Sequence, residues 1–114
     1  MWTERERILC NKYDIEKYLK SVDYFHDYKL GNVQFNKSAN LITIEEDKNS
    51  ISNQGAHIWD FTFELVLKLE IEMDSMLTPY IYEVKIDDNK ILFELTNGYI
   101  LVGASEIKLG IPTQ

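Results

Sequence analysis

The stretch His57–Met73, HIWDFTFELVLKLEIEM, decides the fold because apolar and polar residues alternate along almost its whole length. Every odd position from 59 to 73 is apolar, and the even positions are polar except Ile58 and Val66. A period of two places successive side chains on opposite faces of a β-strand. The sequence therefore predicts a long strand over 57–73, with an apolar face in the core and an outer face that carries an acidic row, Asp60, Glu64, Glu70 and Glu72.

The length of this strand sets a further condition on it. A straight strand over 57–73 would span about 55 Å, at about 3.3 Å per residue. A domain of this chain length has a radius of gyration near about 13 Å. We therefore expect the strand to curl, to bulge or to be interrupted. Ile58 and Val66 are the positions at which another segment is expected to cover the outer face or the strand is expected to bend.

The other segments predict a small mainly β fold of the α+β class. Ile15, Tyr18, Leu19 and Val22 follow helical spacing and predict a short amphipathic helix over 14–22. Because this helix is too short to be stable in water alone, it must dock on the inner face of a sheet. Five more strands are expected over 28–35, 41–46, 80–86, 91–96 and 99–109. Short connections favour antiparallel neighbours, so the prediction is one helix followed by about six strands in a curled sheet or small sandwich, a single domain over 1–114.

Turn-forming residues predict where the strands bulge, turn and end. Gly31 is the expected site of a bulge, since glycine allows a kink in a strand. Asn97-Gly98 predicts a tight hairpin that places Leu95 opposite Ile100 and Phe93 opposite Val102. Three further segments are predicted to lack strand structure: Trp2–Leu9 as a weak helical turn or mobile end, 48–56 as a mobile polar loop, and 111–114 as an irregular tail.

Charge is concentrated in the β-rich part of the sequence. The net charge is −7, and the first fifty residues hold nine acidic and eight basic side chains, so most of the surplus follows them. An acidic surface repels phosphate backbones, so we expect no nucleic-acid partner. If charge selects a partner, that partner is a basic protein; the alternative is that the surplus only keeps the protein soluble.

Composition also bears on location. No apolar run is long enough for a membrane span, and the charged start predicts no secretory signal. Cys10 is the only cysteine, which excludes an intrachain disulfide and suits a reducing cytoplasm. We expect a cytoplasmic protein in which Cys10 is a small, partly buried apolar residue.

Few residues suggest chemistry. His26 with Asp27, and His57, could contribute to a metal or small-ligand site if the fold brings them together, although their spacing matches no metal motif. The more ordinary interpretation is a structural corner made by Phe25, His26 and Asp27, with His57 as a packing residue. No nucleophile, base or phosphate loop is assembled, so the sequence predicts no enzyme, no catalytic residue, no cofactor and no metal.

The run Tyr24-Phe25-His26-Asp27, followed by Leu30 and Val33-Gln34-Phe35, resembles the opening of small bacterial single-domain proteins of unknown function. In those proteins an F-H-D motif leads into a β-meander, and some are similar in size and acidity to immunity proteins of toxin systems. The resemblance implies an interaction protein and carries over no active site.

Two functional hypotheses follow from the sequence. The first is a non-enzymatic, soluble interaction protein of the immunity type, which binds a basic protein through the acidic row. The alternative is a small-ligand or metal-binding β-sheet protein that uses His26, Asp27 and His57. A monomer and a homodimer are both compatible with the sequence.

Overall fold

The computed structural model describes residues 5–46, 57–74 and 79–112. Its elements, in chain order, are β1 (Arg5–Leu9), α1 (Lys12–Ser21), a tight turn at Asp23–Phe25, β2 (Lys29–Phe35), β3 (Asn40–Glu45), β4 (Ile58–Met73), β5 (Ile81–Asp87), β6 (Lys90–Leu95) and β7 (Gly98–Pro112). The mainly β prediction is confirmed, and the predicted helix and six strands are present with boundaries that agree within three residues. The predicted mobile loop over 48–56 lies outside the described residues.

The described strands form one antiparallel sheet in the order β2-β3-β4-β7-β6-β5, and β1 pairs with the far end of β7. The two ends of this order meet at one point, where an isolated bridge joins Lys29 to Tyr80. Two backbone bonds flank it, from Ile81 N–H to the Tyr28 carbonyl and from Leu30 N–H to the Pro79 carbonyl. This contact is short, and the sheet is not closed.

Both predictions for the chain ends were wrong where the structure describes them. Arg5–Leu9 is a strand, not a helical turn. Its partner is Leu109–Pro112, in which Ile111 and Pro112 were expected to be irregular. Each segment is short and locally ambiguous, and the pairing joins residues about a hundred positions apart. Local sequence contains no signal for such a contact, since strand formation here depends on the tertiary partner.

The core lies between α1 and the inner face of the sheet. Asn11 caps the helix, its side chain accepting from the Tyr13 N–H at 2.7 Å, and the helix buries Ile15 and Leu19. Phe25 is fully buried at the centre of an aromatic cluster with Tyr18, Tyr28, Trp59 and Phe61, its ring centroid 5.3–6.4 Å from theirs. The docking expected of the short helix is thus observed.

The long strand β4 consists of two unlike halves. Trp59, Phe61 and Phe63 are buried as predicted. The prediction that the rest of the apolar row is core was wrong, because five residues further along are exposed: Leu65, Leu67, Leu69, Ile71 and Met73. The register with β7 shifts between Val66 and Lys68, and Leu65 has a positive φ of 51°. The bend expected at Val66 is therefore present as a β-bulge.

The β6–β7 hairpin has a different register from the predicted one. Leu95 lies opposite Gly98, Phe93 opposite Ile100 and Ile91 opposite Val102, so the connecting residues are Thr96 and Asn97. The turn is held by β4, since the Asn97 side-chain amide donates to the Asp74 carbonyl at 2.7 Å and the Asp74 N–H donates to the Asn97 carbonyl. The displacement is two residues, which keeps every apolar side chain on the predicted face.

Three smaller predictions can also be compared with the structure. The β2–β3 register shifts between Leu30 and Val33, which confirms a bulge at Gly31. Cys10 is exposed, so the expectation of a partly buried thiol was wrong. Among the described residues, no helix has the length and apolar character that a membrane crossing requires.

Candidate interaction surface

The acidic row lies on the outer face of the sheet. Residues directly opposite in an antiparallel pair share a face. Glu64 lies opposite Glu106, Glu70 opposite Leu101 and Glu72 opposite Tyr99, while the buried Ile107 and Ile100 pair with Phe63 and Ile71 on the other side of β4. Asp60 lies opposite Gly110. The four carboxylates therefore share one face on both sides of the bulge, as the alternation predicts.

Lysines neutralise part of this row. Lys108 lies 3.2 Å from the Glu64 carboxylate, and Lys68 lies 3.4 Å from that of Glu70. The hydrogen bond to Glu64 raises the pKa of Lys108, and the charge of Glu70 raises the pKa of the Tyr99 hydroxyl. The sequence could not show the Lys108 pair, because it joins residues 44 positions apart on neighbouring strands.

An open depression of about 470 Å³ lies beside the row, on the outer face of β4, β6 and β7. Its lining combines two carboxylates with apolar surface: Glu70, Glu94, Leu92, Leu95, Gly98 and Tyr99. Glu94 is already paired with Lys85 at 2.7 Å. The sequence analysis missed this depression, because its walls come from three strands whose register only the fold defines.

A second feature is the free edge, which we define as the side of β4 turned away from β7 between Leu65 and Met73. β3 covers β4 only from Ile58 to Thr62. Within the ranges that the structure describes, no strand pairs with β4 on that side beyond Thr62. The sequence signal for this free edge was the length of the strand, which exceeds what the core can cover.

The Phe25–Asp27 corner has its polar groups engaged locally. The His26 ring nitrogen Nδ1 lies 2.8 Å from the Tyr82 carbonyl and bonds to it, and Nε2 lies 3.6 Å from the Asp27 carboxylate. The Tyr82 bond raises the pKa of His26. Asp23, Tyr24, Phe25 and Asp27 all have positive φ, so the chain turns sharply here. These contacts join the corner to β5.

His57 occupies a different environment at the start of β4. Its Nδ1 lies 2.8 Å from the Glu46 carboxylate, and this hydrogen bond lowers the pKa of Glu46. Within the described residues, no hydrogen bond or ion pair joins His57 to His26 or Asp27, so the structure does not assemble the three residues into one site. In the part of the chain that the structure describes, no group of three or more potential ligands is placed to hold a metal ion.

A scan of protein-family models and searches of curated proteins and solved structures found no match to this chain.

Proposed function

We propose that this protein is a non-enzymatic interaction protein that binds a basic protein partner through its acidic outer face. The observation that carries the proposal is the placement of Asp60, Glu64, Glu70 and Glu72 on one face of β4. An excess of negative charge on one face steers an oppositely charged partner and speeds association.

The depression beside the row suits a lysine or arginine side chain of such a partner. Its aliphatic stem would pack on Leu92 and on the Tyr99 ring, and its charged head would reach Glu70 and Glu94. Both carboxylates are now paired with exposed lysines, Lys68 and Lys85. Exposed ion pairs contribute only about 0–1 kcal/mol, so a partner can replace them at little cost.

The finer form of the proposal is a cytoplasmic immunity protein that neutralises a basic toxin. It rests on the acidic surplus, the small mainly β fold and the resemblance carried by Phe25, His26 and Asp27. The test is co-expression with any toxin encoded by a neighbouring gene. Restored growth of the host supports the immunity role, and growth arrest despite expression of this protein contradicts it.

Charge reversal tests the binding face directly. Basic proteins captured from native-cell extract are purified and titrated against wild type and the double variant Glu64→Lys/Glu72→Lys. The affinity should fall at least about tenfold, equivalent to about 1.4 kcal/mol, and should weaken with added salt.

The matched control is Asp14→Lys/Glu16→Lys, which makes the same change in net charge on exposed positions of α1. Its affinity should stay within about twofold of wild type, because the effect is assigned to one face rather than to total charge. Equal loss in both variants, or no loss in Glu64→Lys/Glu72→Lys, would exclude this face.

A further inference from the structure

The free edge of β4 is a strand edge of a kind that proteins ordinarily protect. Exposed edges present unpaired backbone donors and acceptors, and they are usually blocked by proline, by several charges or by a covering segment. The edge between Leu65 and Met73 contains no proline; it carries three charged residues, Lys68, Glu70 and Glu72, and a bulge between Val66 and Lys68. In the described part of the chain nothing pairs with it.

The side chains along this edge are unusually apolar for a solvent-facing segment. Leu65 is 67% exposed, Leu67 64% and Ile71 50%. Leu69 and Ile71 lie opposite the buried Val102 and Ile100, so they belong to the inner face and extend it beyond its cover. Leu69, Ile71 and Met73 thus form an exposed apolar strip, and such a strip marks an interaction site.

We propose that two copies of this chain pair antiparallel along their free edges, about a two-fold axis at Leu69, so that the sheet continues through the dimer. The proposal does not rest on the acidic-face function.

The register follows from symmetry and charge. The backbone groups of alternate residues point towards the edge, so a symmetric antiparallel pair must place odd residues opposite odd ones and even opposite even. With the axis at Leu69, Leu69 meets its own copy, Leu67 meets Ile71, and Lys68 meets Glu70 twice. Apolar residues thereby meet apolar residues over 67–71 and each Lys68 meets a Glu70, while Glu72 meets Val66.

Neighbouring registers place like charges directly opposite one another. Moving the axis one residue towards the N-terminus places Lys68 opposite Lys68 and Glu64 opposite Glu72. Moving it one residue the other way pairs Lys68 with Glu72 but places Glu70 opposite Glu70. Like charges directly opposite are destabilising, so charge selects the register centred on Leu69. A second copy is thus the occupant that the edge itself specifies.

Charge exchange provides the sharpest test. Sedimentation of wild type over a range of concentrations should show a monomer–dimer equilibrium. Lys68→Glu and Glu70→Lys, which each place like charges opposite, should weaken dimerisation at least about tenfold. The double variant Lys68→Glu/Glu70→Lys should restore it, since the pair is only reversed. A monomeric wild type, or single variants that dimerise normally, overturns the proposal.

Leu69→Lys should also give monomers, and Ile8→Lys, an equally drastic change at an exposed residue of β1, should leave the dimer intact.

If Leu69→Lys fails to fold, a disulfide cross-link tests whether the dimer forms along this edge. At the axis the two Cα atoms would lie about 4.5–5.5 Å apart, within the range of a disulfide. In a Cys10→Ser background, Leu69→Cys should oxidise to a covalent dimer and Ile8→Cys should not. Absence of selective cross-linking overturns the proposal.

Discussion

Phe25 shows at the scale of one residue how the core holds an unfavourable backbone. It has a positive φ of 58°, as do Asp23 and Tyr24 before it. Such conformations cost of order 1–3 kcal/mol each in residues other than glycine. Burial of the whole ring against four aromatic neighbours offsets that cost.

Phe25→Ala should therefore lower the free energy of unfolding by about 3–5 kcal/mol, as for other buried phenylalanines. Urea denaturation followed by circular dichroism measures it. Tyr82→Ala, at a mostly exposed residue of β5, is the control and should cost less than about 1 kcal/mol. A loss below about 1.5 kcal/mol in Phe25→Ala would show that the corner does not depend on the ring.

Two glycines offer a matched comparison. Gly98 has a φ of 152°, and a Cβ at this position would collide with the Glu72 backbone carbonyl. At Gly103 the nearest atom to an added Cβ is the Lys68 Cβ, at 3.3 Å. Gly98→Ala should cost more than about 1 kcal/mol, and Gly103→Ala should cost less. Equal unfolding midpoints in urea for the two variants would contradict this assignment.

Glu46 predicts a pH dependence of stability. Its hydrogen bond to His57 lowers its pKa from the ordinary value of 4.5. A carboxylate with a lowered folded pKa adds stability that is present above the unfolded pKa and is lost as the pH falls through the folded pKa. The stability difference between wild type and Glu46→Gln should thus be fully present above about pH 5.5 and shrink towards about pH 2. A difference that grows on acidification would refute it.

At the scale of the element, α1 depends on its contacts with the sheet. It has ten residues, which is too few for a stable isolated helix. Besides its buried Ile15 and Leu19, it offers the Tyr18 hydroxyl, which accepts a hydrogen bond from the Trp59 indole N–H at 2.8 Å. Trp59 is nearly buried, so this bond joins helix and β4 in a poorly hydrated place.

Tyr18→Phe leaves that indole N–H without its acceptor and should cost about 1–3 kcal/mol in the free energy of unfolding. Tyr13→Phe is the matched control, because Tyr13 belongs to the same helix and is largely exposed. Urea denaturation of the two variants should show a loss only in Tyr18→Phe. An equal loss in both would mean that the hydroxyl of Tyr18 contributes little.

β4 shows what can be foreseen about one element. Alternation predicted the strand, its outer carboxylates and its buried start, and the excess length predicted a distortion. The exposure of Leu65–Met73 could not be foreseen, because burial depends on where neighbouring strands end. β3 stops opposite Thr62, and nothing in the sequence of β4 records that.

At the scale of the whole molecule, dimerisation along the free edge predicts that thermal stability depends on concentration. A dimer formed only by folded chains shifts unfolding by mass action. A hundredfold rise in protein concentration above the dissociation constant should raise the melting temperature by roughly 5 °C. The melting temperature of Leu69→Lys should not depend on protein concentration, while that of Ile8→Lys should depend on it as in wild type. A concentration-independent wild type would contradict the linkage.

The amino-acid sequence by itself determined the local content of this protein: the helix, the six predicted strands, the bulges and the acidic outer face, because period and turn chemistry act over a few residues. The tertiary structure alone decided the pairing of β1 with β7, the β6–β7 register, the Glu64–Lys108 pair and the free edge of β4. These depend on contacts between distant segments, and the free energy of such contacts is a property of the assembled sheet rather than of any one strand.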